Sequence, residues 1–160
     1  MVAELKRLTP DQLEMINKAP ILVSILIAGA DGTIDRNEIK GAIETAKRRS
    51  RGKSSLQAFY KEVGIDFEDK LKVILQTYPA STEERGTVIS DELAQLNDIF
   101  KLVEGSLARD IYDSLKSLAL NIAKSSGGFF GLFSSIGPEE AKFVDLKMIA
   151  PPSSNRVNVA

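Results

Sequence analysis

A run of apolar residues from Ala19 to Ala30, broken only by Pro20, Ser24 and Gly29, sets the first limit on how this chain folds. A helix that is apolar on nearly every side has no face for solvent, so the rest of the chain must surround it. The run falls well short of the about 20 residues that cross a bilayer, which makes it a core helix and not an anchor. At 160 residues the chain is long enough to bury such a helix in one domain without disulfide or metal staples.

The flanking sequence supplies helices to cover it. Thr9-Pro10-Asp11-Gln12 combines a capping hydroxyl, a first-turn proline and a glutamine at the capping-box position, which predicts a helix to about Lys18. Pro20 then opens a second, apolar helix that ends near Gly29 and Gly32. Asp35 caps a third over residues 36–49, with Ile39, Ala42, Ile43 and Ala46 as its inner stripe. Ser54 or Ser55 starts a short helix with Leu56, Phe59, Tyr60 and Val63, stopped by Gly64. Asp66 caps residues 67–78, whose apolar side holds Leu71, Val73, Ile74 and Leu75, and Pro79 ends it.

From Ser81 or Thr82 the positions Ile89, Leu93, Leu96, Phe100 and Val103 continue the helical period, and Gly105-Ser106 predicts a break. Leu107, Ile111, Leu115, Leu118 and Ile122 form a second regular seam, and Pro138 opens a last helix with Phe143, Leu146 and Ile149. No strand signal competes. The expected fold is an all-α, compact bundle of about six to eight helices over residues 1–150, centred on residues 20–29 and 107–122. The tail, residues 151–160, has loop composition and is expected to be mobile.

Several function classes are limited by what is absent. The chain has no cysteine and no histidine, which removes thiolate nucleophiles, Cys/His zinc sites and every His-based triad. There is no Gly-rich phosphate loop and no Gly-x-Ser-x-Gly elbow. Asp91, Glu92, Asp98, Asp110 and Asp113 sit at helical spacings typical of solvated surface charge, so no enzyme is expected. With 21 basic and 22 acidic residues the net charge is -1, and no nucleic-acid partner is expected. The first residues lack the pattern of a secretory signal, which points to a cytoplasmic protein.

One segment carries candidate chemistry. Asp31-Gly32-Thr33-Ile34-Asp35-Arg36-Asn37-Glu38 matches the second half of an EF-hand loop, while Ile27 and Gly29 stand where the first half would supply side-chain oxygens. Asp31, Thr33, Asp35 and Glu38 are therefore the candidate ligands of a weak, partly hydrated site for calcium or another divalent cation. Each also has a structural reading: Asp35 as helix cap, Glu38 beside the positive end of a helix, Gly32 in a tight turn.

The fifteen-residue stretch from Ile25 through Ala28-Gly29-Ala30-Asp31-Gly32 to Glu38-Ile39 resembles the signature of TerB-like domains, a family named for a tellurite-resistance protein. In that family an apolar helix runs into Ala-Asp-Gly, an isoleucine and a glutamate that starts the next helix. The resemblance implies an all-helical bundle with two pseudo-repeated helix–loop–helix units, associated with metal or stress responses and also found attached to J-domain chaperones. A degraded second copy runs from Leu118 through Ser126-Gly127 to Ile136 and Glu140, with Glu140 four residues after Ile136 as Glu38 is after Ile34. Its aspartate is lost and residues 127–135 are extra, so the second acidic site is degraded, with Glu140 as the position matching Glu38.

Two further segments are candidate contacts. Lys47, Arg48, Arg49, Arg51 and Lys53 form the only dense charge run, suited to phosphates of lipid or nucleic acid or simply to a solvated loop at a helix end. Phe129, Phe130, Leu132 and Phe133 concentrate aromatic rings in a Gly-rich connection. They either plug the bundle or form an exposed patch for a protein partner or, less expectedly, a membrane surface. The function expected is a non-catalytic adaptor, cation-linked through the acidic loop, or a metal-independent interaction domain working through the Phe-rich loop.

Overall fold

The computed structural model describes residues 2–30, 34–126 and 143–153. They form seven α-helical segments and no strand: α1 Pro10–Ala28, α2 Arg36–Arg49, α3 Ser54–Ile65, α4 Phe67–Thr77, α5 Thr82–Ala94, the single turn α6 Leu96–Ile99 and α7 Leu107–Ser126. Short 3-10 turns at Ala3–Leu5 and Phe100–Leu102 complete the described elements. The all-α bundle expected from the sequence is the fold observed.

The predicted stop before Pro20 is wrong: α1 is one helix of 19 residues with Pro20 inside it. A proline in a helix interior lacks a donor and crowds the preceding turn, at a cost of roughly 3 kcal/mol. Burying one large aliphatic side chain contributes about 1.5–3 kcal/mol. Ile21, Leu22, Val23, Ile25, Leu26 and Ile27 are all buried beyond it, so packing outweighs the proline. The capping box predicted at its start is present, with Gln12 N donating to Thr9 Oγ1 at 3.2 Å and Thr9 N to Gln12 Oε1 at 3.0 Å. The one buried hydroxyl in its apolar half, Ser24, donates to the Pro20 carbonyl at 2.7 Å.

Every other helix packs on α1, and α7 packs on it most extensively. The α7 seam is as predicted, with Leu107, Ile111, Leu115, Leu118 and Ile122 buried, and Gly105 makes the break with φ +66°. The preceding helix is shorter than its pattern. Ile89, Leu93, Leu96, Phe100 and Val103 are all buried, but the chain turns at Gln95 and tightens into α6 and a 3-10 turn.

Other expectations fail locally: α3 runs past Gly64 to Ile65, and Asp66 precedes α4 without a side-chain bond to its first turn. Val73 is 55% exposed, because it precedes the buried Ile74 by one residue and so lies about 100° round α4 from it. Leu146 and Ile149 are buried as expected but not helical: Leu146 adopts φ +48°, and the chain runs through turns from Asp145. A left-handed leucine costs roughly 1–2 kcal/mol. Burial of both side chains offsets it, and Asn97 on α6 holds the turn by donating to the Met148 carbonyl at 2.9 Å and accepting from Ala150 N at 2.7 Å. The expected helix start at Pro138 lies outside the described residues. Of the tail, Pro151, Pro152 and Ser153 lie beside Phe100 and Lys101, and residues 154–160 are outside the described set.

Two tyrosines tie helices together. Tyr60 on α3 is fully buried, edge-on to Phe59, with its hydroxyl 2.7 Å from Ser114 on α7. Tyr78, after α4, donates to Glu92 on α5 and accepts from Lys18 of α1 at 3.2 Å, while Lys18 also faces Glu92 at 3.5 Å. Burial raises both phenols well above their ordinary range, and at Tyr78 the bond to Glu92 and the charges of Glu92 and Glu14 add to it.

Among the described residues no helix is long and apolar enough to cross a membrane.

Two predictions follow from this packing. Ile25→Ala is expected to lower the unfolding free energy by about 2–5 kcal/mol in urea titration, whereas Val73→Ala shifts it by less than about 0.5 kcal/mol. A group whose folded pKa is raised contributes stability that is complete below its unfolded value and is lost as pH rises from there. The melting temperature should therefore fall as pH increases above about 10, and fall less steeply in Tyr78→Phe.

Candidate functional site

The connection from α1 to α2, residues 29–35, is the segment on which the acidic motif falls. Its first residue has no room for a side chain. A Cβ at Gly29 would lie 2.8 Å from the Ile25 carbonyl oxygen, 2.7 Å from Arg85 Nη2 and 3.2 Å from Ile34 Cγ1. Arg85 reaches in from α5, donating to the Gly29 carbonyl at 3.2 Å and through its other terminal nitrogen to Ala80 at 3.3 Å. The guanidinium thus covers a carbonyl at the end of the buried helix, where the macrodipole favours a cation.

At the other end of the connection Asp35 caps α2. Its Oδ1 accepts from Asn37 N at 2.9 Å and Glu38 N at 3.3 Å, satisfying two first-turn donors. Glu38 follows in the first turn, and Ile39 is fully buried against the core. Asp31 and Thr33 lie outside the described residues, as does Glu140 of the second copy. The placed members of the proposed ligand set are therefore Asp35 and Glu38, and among the described residues no group of three or more Asp, Glu, His or Cys comes together.

Arg85 had no place in the sequence reading. It sits in a segment with ordinary helical charge, and only the crossing of α5 over the end of α1 brings it to Gly29, across 56 residues of chain.

The basic run divides. Lys47, Arg48 and Arg49 form the last turn of α2, where cations are favoured, and Ser50 closes the helix with its N–H on the Ala46 carbonyl at 3.1 Å and its buried hydroxyl on that of Lys47. Gly52, at φ +88°, turns the chain, and Lys53 leaves the run to pair with Asp110 of α7 at 2.9 Å. Arg48 donates to Thr45 Oγ1 at 3.1 Å, and Arg49 and Arg51 are exposed. Phe129, Phe130, Leu132 and Phe133 lie outside the described residues.

No family model matches this chain, and no curated protein or solved structure matches it either.

Removing the cap and filling the glycine should separate in urea titration. Asp35→Ala is expected to destabilise by about 1 kcal/mol and Asp35→Asn by much less. Gly29→Ala should cost more than either, because its methyl group meets a backbone carbonyl that has little freedom to move.

Proposed function

We propose that the protein is a TerB-like, non-catalytic helical adaptor module that engages a protein partner in a stress- or metal-responsive assembly. Within that reading the α1–α2 connection is a weak divalent-cation site formed by Asp31, Thr33, Asp35 and Glu38. The observation that supports it is the α1–α2 unit. A buried apolar helix ends at a glycine with no room for a side chain, Ile34 packs on the core, and an aspartate-capped helix with buried Ile39 follows. A cation here would be held loosely, because Asp35 Oδ1 already accepts two backbone N–H groups and calcium takes six to eight oxygen ligands.

A second reading, an interaction domain that needs no metal and works through Phe129, Phe130, Leu132 and Phe133, has one observation in its favour. The guanidinium of Arg85 on the Gly29 carbonyl puts a permanent positive charge at the start of the same connection. Like charges close together oppose binding of a second cation.

Calorimetric titration of chelator-treated protein with calcium separates the two. The cation-linked reading predicts saturable heat that disappears in Asp31→Ala, together with a melting temperature that rises with calcium concentration. No heat and no shift at millimolar calcium would overturn it and leave the metal-independent adaptor.

A further inference from the structure

A cleft of about 170 Å³ opens between the C-terminal part of α2, the start of α3 and one side of α7. On the α2 side it is lined by Ala46, Arg49 and the capping Ser50, and the small side chains of Ala46 and Ser50 leave open space against α7. Its apolar floor includes the buried Leu56 and Leu118. Its α7 wall is a polar stripe, Asp110, Asp113, Ser114, Ser117 and Asn121, whose three- and four-residue spacing runs alongside the buried seam of the same helix.

Most of the polar groups in this wall are engaged. Asp110 pairs with Lys53 at 2.9 Å, Asp113 with Arg109 at 3.3 Å, and Ser114 bonds to Tyr60 and to the Ile111 carbonyl, both at 2.7 Å. Three lining side chains are left with no partner among the described residues: the Arg49 guanidinium, the Ser117 hydroxyl and the half-buried Asn121 amide. One cation and two neutral hydrogen-bonding groups, above an apolar floor, are the complement of a single anionic head on a short aliphatic body. The arginine fork matches a carboxylate in two parallel bonds. Lys53, Asp110 and Asp113 are already committed to ion pairs, which leaves Arg49 as the one uncommitted charge among the described residues lining the cleft and matches a head with a single negative charge. For scale, a cavity of about 150 Å³ accommodates a benzene-sized ligand.

We propose that this cleft binds a monocarboxylate, with the carboxylate on Arg49, Ser117 and Asn121 and the aliphatic part over Leu56 and Leu118. The carboxylate belongs to a free short-chain acid or to the C-terminus of a peptide, since both present the same head and a small apolar body. This site is independent of the acidic connection and of the adaptor reading.

The test is a nitrogen–proton NMR titration of the full chain with sodium butyrate, with butyramide as its uncharged counterpart, and in parallel with acetyl-Gly-Val and its C-terminal amide. Saturable shifts of the Asn121 side-chain amide with butyrate, absent with butyramide, establish a free-acid site. The same response confined to acetyl-Gly-Val, absent with its amide, establishes a chain-end site. Arg49→Gln should weaken either by at least tenfold, while Arg48→Gln, one residue away and outside the cleft, leaves it unchanged. Both arginines are exposed, so an unaltered amide spectrum elsewhere confirms that the variants are folded. Absence of saturation with both acids, equal response to the uncharged counterparts, or binding undiminished in Arg49→Gln each overturns the proposal.

Discussion

The complete burial of the apolar half of α1 is the constraint on which the rest of the structure depends. A helix with no solvent face has to be covered on all sides, and the other helices each take part of that cover. This explains why α1 tolerates Pro20 in its interior. Breaking the helix there would give two axes and two sets of neighbours, whereas one continuous helix lets α7, α5 and α2 pack along its length. It also explains the left-handed Leu146, where the chain accepts local strain to bring two more aliphatic side chains onto the core.

Polar side chains in this molecule mostly serve the packing. Ser24 returns its hydroxyl to its own helix, Tyr60 and Ser114 satisfy each other between α3 and α7, and Asn97 uses both ends of its amide on the segment at residues 148–150. Lys18, Tyr78 and Glu92 join three elements in a half-buried cluster. The exceptions are Asn17 Oδ1 and Ser90 Oγ, which are buried without a hydrogen-bond partner among the described residues. Arg49, Ser117 and Asn121 differ in that three side chains without a partner among the described residues line one cleft together.

The charged candidates turn out to have structural work as well. Asp35 caps α2, Lys53 links the α2–α3 turn to α7, and the cations of the last α2 turn sit where the helix dipole favours them. The Asp35 carboxylate is committed to two first-turn N–H groups of α2, so under the proposed cation reading an ion there would compete with the cap.

The sequence by itself determined the fold class, the two central apolar seams, the caps at Thr9 and Asp35 and the break at Gly105, because each depends on residues within a few positions of one another. Where it went astray, at Pro20, Val73, Gln95 and Leu146, a local rule met a tertiary demand: burial outweighed a helix breaker, helix rotation turned one valine outward, and core packing reshaped two helix ends. Only the tertiary structure decided that Arg85 meets Gly29, that Lys53 belongs to Asp110, and that Arg49 and Asn121 face one cleft. Those pairs lie far apart in the chain and leave no periodic trace, since a side chain's distant partner is set by how whole helices cross and not by its own neighbours.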